Sequence, residues 1–294
     1  MARNIANGVQ IAQQCWKALQ RNPQLMIFPL LSGIALVLIA ILFIIPTVAV
    51  LSLGGGEPTT ENGLSTVEWI LSVAMTFLYY FACYTVLIFS NTALVGVSLK
   101  LLNGESATFN DGVAIAMSRL SQIIGFALIS ATIGTLAKAG QQAGRDSDNV
   151  VVTVIASIVG GLIQGVWSVV VFFAIPVYVV ENLGPIAAIR RSWDIFKHTW
   201  GEGFTGRAVI GIVSWLVQFL LLAVLAGLFA VAIAYASIPL IVLTVLFGIA
   251  TFGALSLMTG AINGIFQASL YHYAVTGHAG RFIDNHLARN AFPT

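Results

Sequence analysis

The stretch Val179–Phe204, VVENLGPIAAIRRSWDIFKHTWGEGF, gathers Glu181, Arg190, Arg191, Asp194, Lys197, His198 and Glu202 in a chain that is only 8% charged. Within it, Ile186, Ile189, Trp193, Phe196 and Trp200 recur at spacings of three and four, one stripe of a helix over Pro185–Trp200. Arg190, Arg191, Asp194 and Lys197 mostly occupy the other side. Pro185 suits a first helical turn, and Gly201 and Gly203 mark the end. Two tryptophans on an apolar face with bases opposite describe a helix lying in the headgroup layer of a bilayer. The charges are concentrated because this segment meets cytosolic water and lipid phosphate.

The rest of the chain supplies the membrane. At 58% hydrophobic and a mean hydropathy of +0.94, it is far more apolar than a soluble domain, where roughly half the residues are apolar and a quarter charged. Six apolar runs, Leu25–Leu53, Val67–Leu99, Ile123–Leu136, Val150–Val180, Ala208–Ala236 and Pro239–Val275, approach or exceed the ~20 residues a spanning helix needs. The third is the shortest and spans only by borrowing Leu120 and Ala137–Ala139. The runs are apolar on every side, which excludes the alternation of a β-barrel.

Basic residues set the orientation. Arg3, Lys17 and Arg21, then Lys100 and Arg119, then Arg190, Arg191, Lys197 and Arg207, and finally Arg281 and Arg289 all fall on one side. Only Lys138 and Arg145, beside Asp146 and Asp148, fall on the other. The positive-inside rule makes the first side cytoplasmic and puts both termini there. The N-terminal apolar run is too long, and starts too late, for a cleavable signal peptide. Cys15 and Cys83 lie in different layers and read as small apolar fillers.

Two other segments share the register of the opening helix. In NIANGVQIAQQCWKALQ the stripe is Ile5, Val9, Ala12, Trp16 and Leu19; in FNDGVAIAMSRLSQII it is Phe109, Val113, Ala116, Leu120 and Ile123. The three superpose Val9, Val113 and Ile186, and each precedes an outward and an inward span. After the second and sixth runs, Asn91 pairs with Gln267, Gly104 with Gly277, Phe109 with Phe282 and Asp111 with Asp284. The reading is one polytopic domain over residues 1–294, with three parallel units at about 1–103, 104–181 and 182–280 and a tail over 281–294. The fold class is therefore all-α: six transmembrane helices, three cytoplasmic amphipathic helices and a three-fold parallel repeat.

Little in this frame points to catalysis. No phosphate-binding glycine loop, zinc-binding helix pair or nucleophile elbow occurs. Glu181, Arg190, Arg191, Asp194 and His198 read as a salt-bridge set facing headgroups. The spacing of His272, His278 and His286 fits no common metal motif, and His272 between Tyr271 and Tyr273 reads as an interfacial aromatic belt. Within the runs, Asn91, Gln164, Gln218, Asn263 and Gln267 are uncharged amides that serve either helix packing or a polar path. Glycines 160, 161 and 165, and 248, 253, 260 and 264, suit close helix approach, and Pro29, Pro46 and Pro176 suit kinks.

The segments RNPQLMIFPLLSG, VVENLGPIAAIRRSWDIFKHTWG and GIFQASLYHYAVTG give the chain a family resemblance. It resembles bacterial six-span integral-membrane proteins classed as domains of unknown function. These are similar in plan to the membrane region attached to some glycerophosphodiester phosphodiesterases. The resemblance implies the fold and a bacterial inner-membrane location, and no catalytic residues.

The leading expectation is a non-enzymatic membrane scaffold or accessory subunit. It would bind anionic lipid through Lys17, Arg119, Arg190, Arg191 and Lys197, anchor through Trp16, Trp193 and Trp200, and associate with a membrane-protein partner or with copies of itself. The alternative is a channel or transporter lined by the five amides. Neither reading calls for a cofactor, a metal or nucleic acid.

Overall fold

The computed structural model describes residues 2–53, 66–145, 150–170, 172–200, 205–235, 237–278 and 280–284, with side chains over narrower stretches of these. They are helical almost throughout, and no strand occurs among them. Helix α1 (Ala2–Arg21) leads through a 3₁₀ turn (Pro23–Met26) into α2 (Ile27–Leu53) and then α3 (Thr66–Leu102). Next come α4 (Phe109–Ser118), α5 (Leu120–Arg145), α6 (Val150–Val170) and α7 (Ala174–Glu181). The chain continues as α8 (Pro185–Trp200), α9 (Thr205–Ala234) and α10 (Ile238–Thr276).

Five helical stretches among the described residues are long and apolar enough to cross a bilayer: Pro23–Ile44, Ile70–Leu102, Leu120–Gln142, Leu216–Ala234 and Ile238–Thr276. The third takes in Leu120 and Ala137–Ala139, the residues its short apolar run needed. The expected run Val150–Val180 is divided between α6 and α7. Helix α6 has 21 residues and α7 has eight. Pro176 falls in the first turn of α7, where its missing N–H costs least. Pro46 lies inside α2, whose helix runs on through it.

The segment Phe109–Ile123 is also not one helix. It breaks at Arg119, whose N–H turns to the carbonyl of Ala116 at 3.1 Å, so Leu120 and Ile123 belong to α5. At the N-terminus of α4, Thr108 and Asp111 form a reciprocal capping box. The Thr108 N–H and hydroxyl donate to Asp111 Oδ2 at 2.8 and 2.7 Å, and the Asp111 N–H returns to Thr108 Oγ1 at 3.3 Å.

Helices α3, α7 and α10 end alike, each followed by a residue in the left-handed region: Gly104 (φ +86°), Asn182 (φ 55°) and Gly277 (φ 74°). The Asn182 and Gly277 N–H groups donate back to the carbonyls of Tyr178 and Tyr273 at 3.2 and 2.9 Å. Carbonyls otherwise orphaned at a helix end are thereby satisfied.

The chain divides into two compact units. The first comprises Met1–Leu30, Leu94–Asp111 and Ile195–Thr294. In it α1 packs on α9 and α10, and the 3₁₀ turn rests on α10. Gln24 Nε2 donates to the Ala107 carbonyl at 2.6 Å, and Phe28 stacks on Phe109 with centroids 5.1 Å apart. Its buried residues come from α1 (Ile11, Cys15, Ala18, Leu19), the end of α3 (Leu94–Leu102) and the last third of α10 (Ile265, Phe266, Leu270, Tyr271, Tyr273). Upstream of these, the apolar side chains of α9 and α10 are largely uncovered by protein, as on helices solvated by lipid.

The second unit comprises Leu31–Ala93 and Gly112–Asp194. In it α5 lies along α6, Phe126 meets Tyr178 with centroids 5.3 Å apart, and the Tyr178 hydroxyl is hydrogen-bonded to that of Thr92. A methyl at Gly125 would collide with Pro185 Cγ, so glycine is what lets the start of α8 seat on α5. Ser192 of α8 is fully buried, and its hydroxyl accepts the Phe173 N–H at 3.1 Å. That donor stands at the start of α7, where backbone N–H groups commonly take side-chain acceptors.

Candidate functional site

A polar cavity of about 680 Å³ opens in the first unit where α1 ends. Lys17 and Arg21 from the last turns of α1, Glu105 from the α3–α4 loop, and Arg281 and Asp284 from the segment after α10 line it. Several contacts hold that segment in place. Gly280 (φ +70°) lies so close to α3 that a methyl there would come within 2.6 Å of Leu102 Cδ2. The Arg281 guanidinium lies over Gly104, where a methyl would meet its Cζ at 2.9 Å. Ile283 is buried, and the Asp284 N–H donates to Gln14 Oε1 at 2.9 Å. Among the described residues, none of Lys17, Arg21 and Arg281 forms an ion pair.

The five cations expected to contact headgroups take different roles. Lys17 is exposed and borders the cavity. Arg190 and Lys197 are exposed on α8. Arg191 is engaged with Glu181, its Nε 3.3 Å from both carboxylate oxygens. Arg119 is half-buried and donates from Nη1 to Asn182 Oδ1 at 2.5 Å and from Nη2 to the Val179 carbonyl at 3.0 Å. Gln122 Nε2 joins the same Asn182 oxygen at 3.2 Å. Arg119 therefore ties the α4–α5 break to the end of α7.

Of the aromatic anchors, Trp193 is 42% exposed and Trp16 half-buried, while the Trp200 side chain lies outside the described residues. The α8 face turned into protein is Ala188, Ser192 and Ile195, and the neighbouring stripe with Ile186 (63% exposed) and Trp193 faces outward. In α1 the buried residues are Ile11, Cys15, Ala18 and Leu19, so of the expected stripe Leu19 is buried while Val9, Ala12 and Trp16 are half-buried. Periodicity found the helices but gave an apolar arc too wide to say which edge meets protein. Tyr271 and Tyr273 are 3% and 5% exposed, so they are core residues and not an interfacial belt. His272 sits between the His278 carbonyl (Nδ1, 2.7 Å) and Asn103 Oδ1 (Nε2, 3.1 Å).

The amides are scattered in environment. Gln267 is buried, Asn91 and Gln218 are half-buried, Asn263 is exposed, and the Gln164 side chain lies outside the described residues. Close approach at glycine is seen at Gly160, where a methyl would meet Gln141 at 2.6 Å, and at Gly248, 3.3 Å from Leu225, but not at Gly161 or Gly253. Between α9 and α10 a groove of about 670 Å³ is lined by apolar residues and Thr244.

Among the described residues, no three His, Cys, Asp or Glu side chains converge as metal ligands. Burial pushes the Cys15 thiol up to about 12, so it stays neutral and unreactive at physiological pH. The cavity brings together three cations that form no ion pair among the described residues, with Glu105 and Asp284 on the same lining.

Arg21 and Arg281, absent from the residues chosen on sequence, belong to this site. The sequence singled out Gly104, through its pairing with Gly277, but not Gly280. A family model described as a family of unknown function (DUF6159) matches residues 70–282, and the chain belongs to that family. Nothing in that match links it to glycerophosphodiester phosphodiesterases. No curated protein matches the chain.

Proposed function

We propose that this DUF6159 member is a six-span scaffold or accessory subunit of the bacterial inner membrane, with both termini in the cytoplasm, that holds anionic lipid and docks a partner protein without catalysing a reaction. In this reading α6 and α7 together make the fourth of the six spans. Three parallel units run α1–α3, α4–α7 and α8–α10. Two features support the repeat. The inward helices α3, α7 and α10 share a left-handed terminus at Gly104, Asn182 and Gly277. In the register that pairs Val9 with Ile186, the buried triplet Ile11, Cys15, Ala18 of α1 coincides with Ala188, Ser192, Ile195 of α8.

The observation that carries the lipid-binding reading is where the cations stand relative to those triplets. Lys17, Arg190 and Lys197 are exposed and each follows a buried residue (Cys15, Ala188, Ile195) by two positions, about 200° around the helix. A helix buried on one side and cationic on the other can lie flat against phosphate headgroups. Each such base contributes roughly 1 kcal/mol near an anionic surface.

The test is extraction of the tagged protein from native membranes in polymer discs, with mass spectrometry of retained lipid and protein. Reversing Arg190 and Lys197 to glutamate should cut the anionic-lipid fraction several-fold and lower recovery of the partner. Recovery of both at parental levels would sink the proposal.

A further inference from the structure

The cavity between the end of α1 and the segment after α10 deepens this reading, on which it depends only for its cytoplasmic placement. From its side chains we infer that it binds the phosphate group of an ester whose alcohol part carries hydroxyl groups, either as a lipid headgroup or as a free phosphorylated polyol.

Three observations carry the inference. Lys17, Arg21 and Arg281 line one cavity and, among the described residues, none is neutralised by an ion pair. Two of them stand at the C-terminus of α1, where the helix dipole is negative and repels an anion. The end of α1 alone thus makes a poor phosphate site, and the third cation has to come from elsewhere. Arg281 supplies it, and the chain is shaped to put it there. Gly280 and Gly104 both adopt left-handed backbone; a methyl at Gly280 would collide with Leu102, and one at Gly104 would meet the guanidinium of Arg281. An arginine fork brought to the cavity in this way is suited to bidentate contact with phosphate oxygens. Glu105 and Asp284 line the same cavity. Carboxylates do not contact phosphate oxygens but accept from hydroxyls, which points to a polyol ester and away from a bare anion. At about 680 Å³ the cavity has room for a phosphate with its alcohol part.

The experiment uses the full chain in discs of zwitterionic lipid. Calorimetric titration with sn-glycerol 3-phosphate tests the free source. Discs containing phosphatidylglycerol, followed by mass spectrometry of the lipid that stays with the protein, test the lipid source. Saturable binding of the soluble probe, weakened about tenfold or more by Arg281→Gln, assigns the site to a free ester. Failure of the soluble probe, with phosphatidylglycerol enriched by the parent and not by the Arg21→Gln, Arg281→Gln double variant, assigns it to lipid.

Arg281→Lys keeps every charge and removes only the guanidinium fork, so it should also weaken binding, by less than Arg281→Gln. Lys17→Gln, at an exposed position, provides a further variant should the arginine changes impair folding. If parent and variants behave alike in both assays, the inference is overturned. Lipid loss on reversing Arg190 and Lys197, with no effect of the cavity variants, would overturn it too while leaving the scaffold reading intact.

Discussion

Helices α1 and α8 bury one face over their described length, whereas α4, the helix between them in the repeat, runs for only ten residues before it breaks. In the shared register Cys15, Arg119 and Ser192 occupy one position. Cys15 is wholly buried in α1, and Ser192 is wholly buried in α8 and bonded to the start of α7. Arg119 is too long and too polar for that slot. The helix ends there, and the guanidinium turns to Asn182 and Val179. The buried face of α4, Gly112 and Ala116, is rotated by about 60° from that of its counterparts, three positions along the sequence. One side chain thus decides whether the helix stays whole. The comparison also shows that a cation's place in the sequence does not reveal its task, since Arg119 serves the fold while Arg190 faces outward.

The most severe way to break this comparison is to write the α4 residue into α1. Cys15→Arg places a guanidinium in a fully buried slot with no acceptor provided for it. An uncompensated buried charge costs about 3–5 kcal/mol. The expected outcome is loss of the monodisperse peak in fluorescence-detected size exclusion, or a steep fall in the melting temperature. A variant that melts like its parent would show that burial at this position does not define the helix.

The converse substitution sharpens the distinction between structural and lipid-facing cations. Arg119→Ala removes two hydrogen bonds from a charged donor and strands the Val179 carbonyl, a loss of about 1.5–3 kcal/mol. Thermal stability should drop measurably while the anionic lipid retained in discs stays unchanged. Reduced lipid retention at unchanged stability would return Arg119 to the headgroup-binding set.

Hydropathy made the five long apolar helices legible, because the bilayer imposes a length that composition reports directly. Periodicity located α1 and α8. It placed the buried faces one edge off, since small residues such as Ala188 and Ser192 carry little hydrophobic signal yet allow the closest packing. Arg119 adjoins Leu120 of the expected stripe, and in the sequence alone it reads as a cation snorkelling to the headgroups. The division of the fourth run carried a signal in Pro176, read only as a kink. Least legible was the cavity. Arg21 and Arg281 come together only because Gly104 and Gly280 leave room for the returning chain, and a single sequence does not reveal which of its 28 glycines do so.

The smallest expected effect concerns the other end of α4 and asks whether a short, broken helix depends more on its cap than its longer counterparts do. Asp111 closes the capping box with Thr108 and pairs with Lys100 at 3.0 Å, both side chains about one-third exposed. The Thr108 hydroxyl and N–H, and then the Lys100 ammonium, hold the Asp111 carboxyl down at about 2, below its ordinary value of 3.8. A carboxylate whose folded value is depressed stabilises the folded state fully above the unfolded value. That contribution fades as pH falls through the folded value. Asp111 should therefore contribute fully at pH 5 and above, and progressively less from near pH 4 down to about 2. Melting temperatures measured in discs across that window should fall less steeply for Asp111→Asn than for the parent, because asparagine still accepts the cap hydrogen bonds but does not titrate. Parallel curves for the two proteins would mean that the cap is not coupled to global unfolding and that α4 frays locally at its start.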